Sequence, residues 1–498
     1  MAKHTARLAL IIALVIPTGT EAITKTPSRQ GETGQRKAGD LKFEPYKIQA
    51  GDFTVEGELG RLVVKENRSA PQSNLIELAF VRLKSTAAKP GHPVVYLDGG
   101  PGSSAINIAR VPIYLQVFLK LREVGDVILL DQRGVGRSRP NLTRASFESL
   151  PADFFLSEET AMRAFKERAR AAAEYFRSQG IDLHAYNTAE SANDIEDLRR
   201  ALGAEKLNLV GFSYGTHLGL ATIRQHGARL NRVALVGAEG PNHTRKLPSS
   251  SQQSIERLSK LIAQDPTVGP KVPDFAAMLK RVLDRLEKEP ITLSVTDNKK
   301  RQPVDVKVGK FGLQLLIMRD LGDTNDLPNF PAFLYTIDRG DYSMLSRLVE
   351  RRFNEYSAGV PIMTLVMDAA SGATRERDAQ IAREARTTLL GDVVNFLFPA
   401  IGEVVGNPDL GDEFRSPIRT DVPTLFVSGS LDNNTPPFQA DEVRRQFKQS
   451  SHIVVENAGH ESMLDKPQVR QAIVDFLLGK DVGRVKIALP PLQFNPIP

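Results

Sequence analysis

The chain of 498 residues contains no cysteine. Disulfides, a thiolate nucleophile and any cysteine-ligated zinc or iron–sulfur centre are therefore excluded. Charge of one sign is in short supply: 65 Lys and Arg against 59 Asp and Glu leave a net +6. Without residues 1–22, which carry Lys3, Arg7 and Glu21, the balance is about +5. No basic run with interleaved aromatics occurs, which argues against nucleic acid as a partner. Long apolar stretches are missing as well, since none approaches the roughly eighteen residues that a membrane span needs. The apolar run Leu8–Ile16 follows a basic start (Lys3, His4, Arg7), is broken by Pro17 and Gly19, and leads to Ala22, a small residue suited to precede cleavage. This is the layout of a secretory signal. Export to the periplasm or the medium, without a membrane span, is expected.

What is present suits a folded chain. Hydrophobic residues make up 41% and charged residues 25%, too apolar and too balanced for a long disordered chain. Residues 23–45, rich in Thr, Gly, Lys and Gln, read as a flexible leader. Gly60–Lys65 reads as a strand, and Asn74–Leu83 alternates apolar and polar residues as a half-buried strand does. The character then changes. Pro93–Leu97, Asp126–Leu130, Lys206–Val210, Arg232–Val236, Pro423–Val427 and Ile453–Val455 are dominated by continuous apolar runs, most of them stopping at a turn-forming segment. Strands buried on both faces look like this, the mark of a parallel sheet covered by helices. Helical stretches such as 189–202 and 437–447 lie between them, so the fold class is α/β. The core is expected at 46–240 and 416–480. Residues 241–415 show no such runs. Helical patterns at 253–263, 275–289, 311–321 and 375–398 make this region a mostly helical cap inserted over the sheet. A second helical excursion covers 140–186. The tail 481–498, with Pro490, Pro491, Pro496 and Pro498, is expected to be extended and on the surface.

In such sheets reactive groups gather at the carboxyl ends of the strands, and the candidate motifs all fall there. Gly211-Phe212-Ser213-Tyr214-Gly215 follows a strand and precedes a helix-compatible stretch. This G-x-S-x-G turn exposes a serine hydroxyl, with glycines where side chains would strike the neighbouring strand and helix. Asp98-Gly99-Gly100-Pro101-Gly102-Ser103 follows the first buried strand. The N–H groups of Gly100 and Tyr214 are the candidate oxyanion donors, Pro101 having no N–H to give. A serine nucleophile needs a base and an acid that orients the base, expected in the chain order Ser, Asp or Glu, His. His460, after the last strand, and Asp432, after the strand before it, fit that order. Asp421 lies at the wrong end of its strand and Asp441 inside the following helix. Arg133 ends another strand, in DQRGVGRS, and either braces the loops or acts directly.

Together GGPG (99–102), DQRGVGRS (131–138), GFSYG (211–215), SGSLDNNTP (428–436) and NAGHES (457–462) resemble the prolyl iminopeptidase and tripeptidyl aminopeptidase family of α/β-hydrolases. The segments 60–83 and 186–203 also look like that family's first two strands and the approach to its nucleophile. The resemblance implies an α/β-hydrolase fold and an exopeptidase that removes residues from peptide N-termini, with an anionic site for the substrate ammonium. The Trp-Glu cap element of prolyl iminopeptidases has no counterpart, because the chain has no tryptophan, so proline specificity is not carried over. Glu239, where the cap departs from the core, is the candidate for the ammonium site, its alternative being a hinge residue with a solvated carboxylate.

The mechanism so read needs no metal and no organic cofactor. The substrate is a peptide or a small acyl compound. The rival readings are an esterase or amidase whose cap forms an apolar pocket and, from another class, a non-catalytic binding protein on a hydrolase scaffold.

Overall fold

A computed structural model describes residues 36–145, 148–406 and 409–498; the expected signal segment and most of the leader lie outside the described residues. Regular structure begins earlier than the pattern suggested. β1 (Leu41–Ala50) pairs antiparallel with β2 (Phe53–Lys65) through a tight turn in which Gly51 has φ +57°. Pro45 obscures this strand in the sequence, but β1 is an edge strand, where a missing N–H is tolerated. β3 (Leu75–Leu83) completes an antiparallel meander.

The apolar runs become β4 (Val94–Leu97), β5 (Val127–Asp131), β6 (Leu207–Phe212), β7 (Leu230–Val236) and β8 (Thr424–Gly429), followed by β9 (Ser450–Glu456) and the short β10 (Ile487–Ala488). They join the meander in one ten-stranded sheet of order β1-β2-β3-β5-β4-β6-β7-β8-β9-β10, parallel from β5 to β10. Helices Thr188–Ala201 and Tyr214–His226 pack on one face, Pro112–Leu121 and Pro467–Leu477 on the other. Two apolar cores result, one each side of the sheet, as the continuous apolar strands require.

Arg133 is fully buried. It grips Asp194 with Nε and Nη2, both at 2.7 Å, and gives Nη1 to the carbonyls of Glu66 and Ala185. It therefore ties the loop after β5 to the end of β2 and to helix Thr188–Ala201. A charge this deep persists only because every arm is matched.

The chain between β7 and β8 forms the cap. Helices Pro248–Gln264, Phe275–Lys288 and Lys310–Asp320 occupy the expected places. The expected helix over 375–398 stops at Glu384, short of Gly391 at φ +58°. The cap also contains strands Ile291–Asp297 and Gln302–Val308, paired antiparallel. These alternate buried and exposed residues rather than running apolar, so a search for fully buried strands passes over them. Helix Glu158–Ser178 of the second excursion joins the cap, where Arg168 donates to the carbonyls of Tyr356 and Ser357. The tail is extended as expected but does not lie free on the surface: Ile487 and Ile497 are buried, and Asn495 bonds to Pro328 and Asn329 of the cap.

Candidate active site

Ser213 stands between β6 and helix Tyr214–His226 with φ 53° and ψ −124°, a conformation that costs a non-glycine residue about 1–3 kcal/mol. Its surroundings leave little choice. A Cβ at Gly211 would lie 2.5 Å from the Gly215 carbonyl oxygen, and one at Gly215 only 2.0 Å from that of Leu97. Strand, turn and helix thus close tightly around the serine and push its side chain above the sheet.

His460 reaches that hydroxyl. Its Nε2 lies 2.9 Å from Ser213 Oγ, and its Nδ1 lies 2.8 Å from Asp432 Oδ2. The three residues the sequence singled out over almost half the chain therefore form one hydrogen-bonded row. Asp432 is fixed in turn: Oδ2 accepts the Thr435 hydroxyl at 2.6 Å, and Oδ1 accepts the N–H groups of Asn434 and Thr435. Burial disfavours its carboxylate, yet the His460 imidazole and these donors hold its pKa below the ordinary value. Burial likewise opposes the imidazolium of His460, and the Asp432 carboxylate more than offsets it, so the pKa is raised. Gly237, at φ +66°, lets the imidazole approach; a Cβ there would lie 3.2 Å from His460 Cε1.

The loop after β4 lies against the serine, since a Cβ at Gly99 would come within 3.0 Å of Ser213 Cβ. Gly100, at φ +110°, donates no backbone hydrogen bond among the described residues, and the Tyr214 N–H opens a helix, where first-turn donors have no helical partner. Tyr96 and Gln132 hold Asp98 at the loop's base, and Thr364 of cap helix Ile362–Ser371 donates to the Pro101 carbonyl at 2.5 Å.

Glu239 is buried, and its Oε2 accepts Lys246 Nζ at 2.5 Å. Burial would raise its pKa, but Lys246 and His217 hold it below the usual range. This carboxylate already has a cation within the protein, so it is neither a solvated hinge nor a free anionic site. Sequence reasoning missed a second carboxylate beside it. Asp368, on the same cap helix as Thr364, accepts no side-chain hydrogen bond among the described residues, and burial and then the charge of Glu239 push its pKa well up. No motif marks Asp368. Thr435 was also missed, although its place three residues after Asp432 is that of a side chain folding back on an Asx turn.

Among the described residues no cluster of His, Cys, Asp and Glu is arranged to hold a metal, and no helix is long and apolar enough to cross a membrane. A hydroxyl in line with an imidazole and a buried carboxylate, next to backbone donors, is equipped for acyl transfer. The fold and this row of side chains define an α/β hydrolase. The chain belongs to that family: the α/β-hydrolase-fold model matches residues 92–467. Its curated relatives include the serine protease Hip1 of Mycobacterium tuberculosis, 30% identical over 37% of this chain and 36% of that protein. They also include the tripeptidyl aminopeptidase of Streptomyces coelicolor, 32% identical over 41% of this chain and 35% of that protein. These matches span just over a third of each relative's length. A putative hydrolase of Escherichia coli, YuaR, is 24% identical over 81% of both chains. The chain is thus a member of the α/β-hydrolase fold family with peptidases among its relatives.

Proposed function

We propose that this protein is an exported serine aminopeptidase that releases residues from peptide N-termini. The Ser213 hydroxyl attacks the scissile carbonyl while His460 Nε2 takes its proton. Asp432 keeps the imidazole in the tautomer that presents an unprotonated Nε2 and stabilises the imidazolium that follows. The N–H groups of Gly100 and Tyr214 receive the oxyanion. His460 then returns its proton to the leaving amine, and water activated by the same imidazole hydrolyses the acyl-enzyme. The observation that carries this reading is the continuous row Asp432–His460–Ser213, with contacts of 2.8 and 2.9 Å. For the substrate ammonium Asp368 is the better carboxyl, since Glu239 is engaged by Lys246; burial and Glu239 favour its neutral form in the free protein, and an arriving ammonium supplies the counter-charge that lets it ionise. Export rests on the apolar run Leu8–Ile16 behind its basic start; fractionation of cells expressing the full chain tests it, and retention in the cytosol would refute it.

A panel of chromogenic substrates tests the activity. Aminoacyl and peptidyl amides with a free amino group should be cleaved faster than their N-blocked counterparts and faster than simple acyl esters. Preference for blocked esters would establish an esterase instead. A fluorophosphonate should label the wild type and leave Ser213→Ala unlabelled; absence of labelling in the wild type would return the chain to the binding-protein reading.

A further inference from the structure

The proline-rich tail runs along the acid–base half of the site. At its start Leu489 exchanges hydrogen bonds with the end of β9: its N–H donates to the Glu456 carbonyl, and its own carbonyl accepts Asn457 Nδ2, both at 2.9 Å. Asn457 lies three residues before His460. Leu492 packs against the apolar core that holds Leu321 and Leu327, and lines one small cavity with them and with Leu431, which adjoins Asp432. Asn495 donates its backbone N–H to the Pro328 carbonyl at 2.9 Å and its side-chain amide to Asn329 Oδ1 at 2.7 Å. Lys271, from the cap, closes on the carbonyl of Ile497 at 2.9 Å.

The cap loop held in this way, residues 321–329, is the one that touches the base. The Gly322 carbonyl accepts the His460 backbone N–H at 3.0 Å. The two loops meet without space between them, as a Cβ at Gly459 would fall 2.7 Å from that oxygen. Four prolines keep the tail extended and limit the freedom it loses on docking. The chain therefore has one extended segment that bonds both to Asn457, three residues before His460, and to the 321–329 loop, whose Gly322 carbonyl accepts the His460 N–H.

We infer that residues 489–497 are a strap that positions His460 through the cap loop, with Asn495 as its positioning residue. The inference rests on the reading of Ser213 and His460 as the reacting pair. Without the Asn495 contacts the 321–329 loop lifts, the Gly322 carbonyl leaves the His460 N–H, and the imidazole loses its alignment on Ser213. His460 faces Asp432, its neighbour Glu461, Asp323 on the cap loop and, across the site, Lys246. Loosening the loop relaxes the hold of Asp432 above all, so the raised pKa of the imidazole falls toward its ordinary value.

The test uses the full chain and two variants, Asn495→Ala and Asn495→Ala/Leu492→Ala. A small fluorophosphonate reports the Ser213–His460 pair directly, and its labelling rate is measured against pH beside thermal unfolding. Labelling should slow by about tenfold in the double variant, a fraction of what a full ångström of misplacement costs. The acid limb of the pH profile should move to lower pH, with Tm within a few degrees of wild type. Unchanged labelling and profile would overturn the inference, as would a loss that only tracks the unfolded fraction. If the double variant does not fold, the single variant decides by the same readings. Wild type that is not labelled at all would instead refute the serine-hydrolase reading, which separates the two failures.

Discussion

At the residue scale the site is a set of charges made tolerable by specific partners. Asp432 is buried and ionised because His460, Thr435 and two backbone N–H groups surround it. Replacing it with Asn keeps the shape but presents the wrong tautomer, so kcat should fall by about 10³–10⁴-fold with KM little changed. The pH profile should move as well. On the proposed mechanism His460 works as the base only when neutral, and Asp432 raises its pKa, so the acid limb of kcat/KM should lie above the ordinary imidazole value of about 6.5. In Asp432→Asn the residual activity should persist to lower pH. A limb at or below the ordinary value in the wild type would contradict the pairing. The two carboxylates near the cap separate by the same reasoning. Glu239→Gln leaves Lys246 partly buried without its counter-charge and should lower stability by about 3 kcal/mol in urea unfolding. Asp368→Asn removes a carboxyl with no side-chain hydrogen-bond partner among the described residues. It should leave stability nearly unchanged while raising KM for free-amine substrates and not for N-blocked esters. Equal effects on both substrate types would exclude Asp368 from the ammonium site.

At the scale of elements, what could be read from the sequence is what short-range pattern encodes. β4 to β8 were legible because burial on both faces demands uninterrupted apolar residues, and Ser213 and Asp432 because each comes soon after such a strand; His460 follows β9, where Ile453 and Val455 are buried but Val454 between them is exposed. β1 was hidden by Pro45, harmless at an edge. The cap strands were hidden by their alternation, and helices Phe330–Asp338, Ser343–Ser357 and Ile362–Ser371 by the lack of motifs within them. Thr364, Asp368 and Gly322 owe their places near the site to tertiary packing, which no local pattern announces. The elbow, by contrast, is local and strict. Gly215→Ala would drive a Cβ into the Leu97 carbonyl at 2.0 Å, and a backbone atom cannot step aside as a side-chain tip can. Overpacking of this kind costs about 1–3 kcal/mol or more and here must separate β4 from helix Tyr214–His226. Circular dichroism and labelling should show a destabilised protein whose remaining folded fraction reacts slowly. A fully active, stable variant would mean that the elbow is looser than its geometry.

For the molecule as a whole, the question is how a substrate enters. Ser213 is 8% exposed, Asp432 2% and His460 1%, so the reacting groups are largely covered with the cap seated as it is. The cap meets the core on two sides of the serine: the 321–329 loop lies on His460, and helix Ile362–Ser371 lies on the oxyanion loop through Thr364. The first side is tied down by the tail. Over the loop itself the second side is held, among the described residues, by the Thr364 hydroxyl, and further along the same helix Met367 and Ser371 reach Tyr214, Thr188 and His217. Opening should therefore begin at Thr364, with the base kept in register while the mouth widens. Thr364→Val removes that hydrogen bond and keeps the shape, which shifts the closed–open balance by about 1 kcal/mol, or roughly fivefold. A bulky fluorophosphonate, which needs the open cap, should label Thr364→Val up to about fivefold faster than wild type. A small one should gain less, because the freed Pro101 loop holds the oxyanion donors less firmly. If the ratio of bulky to small labelling is the same in both proteins, the cap does not open on this side.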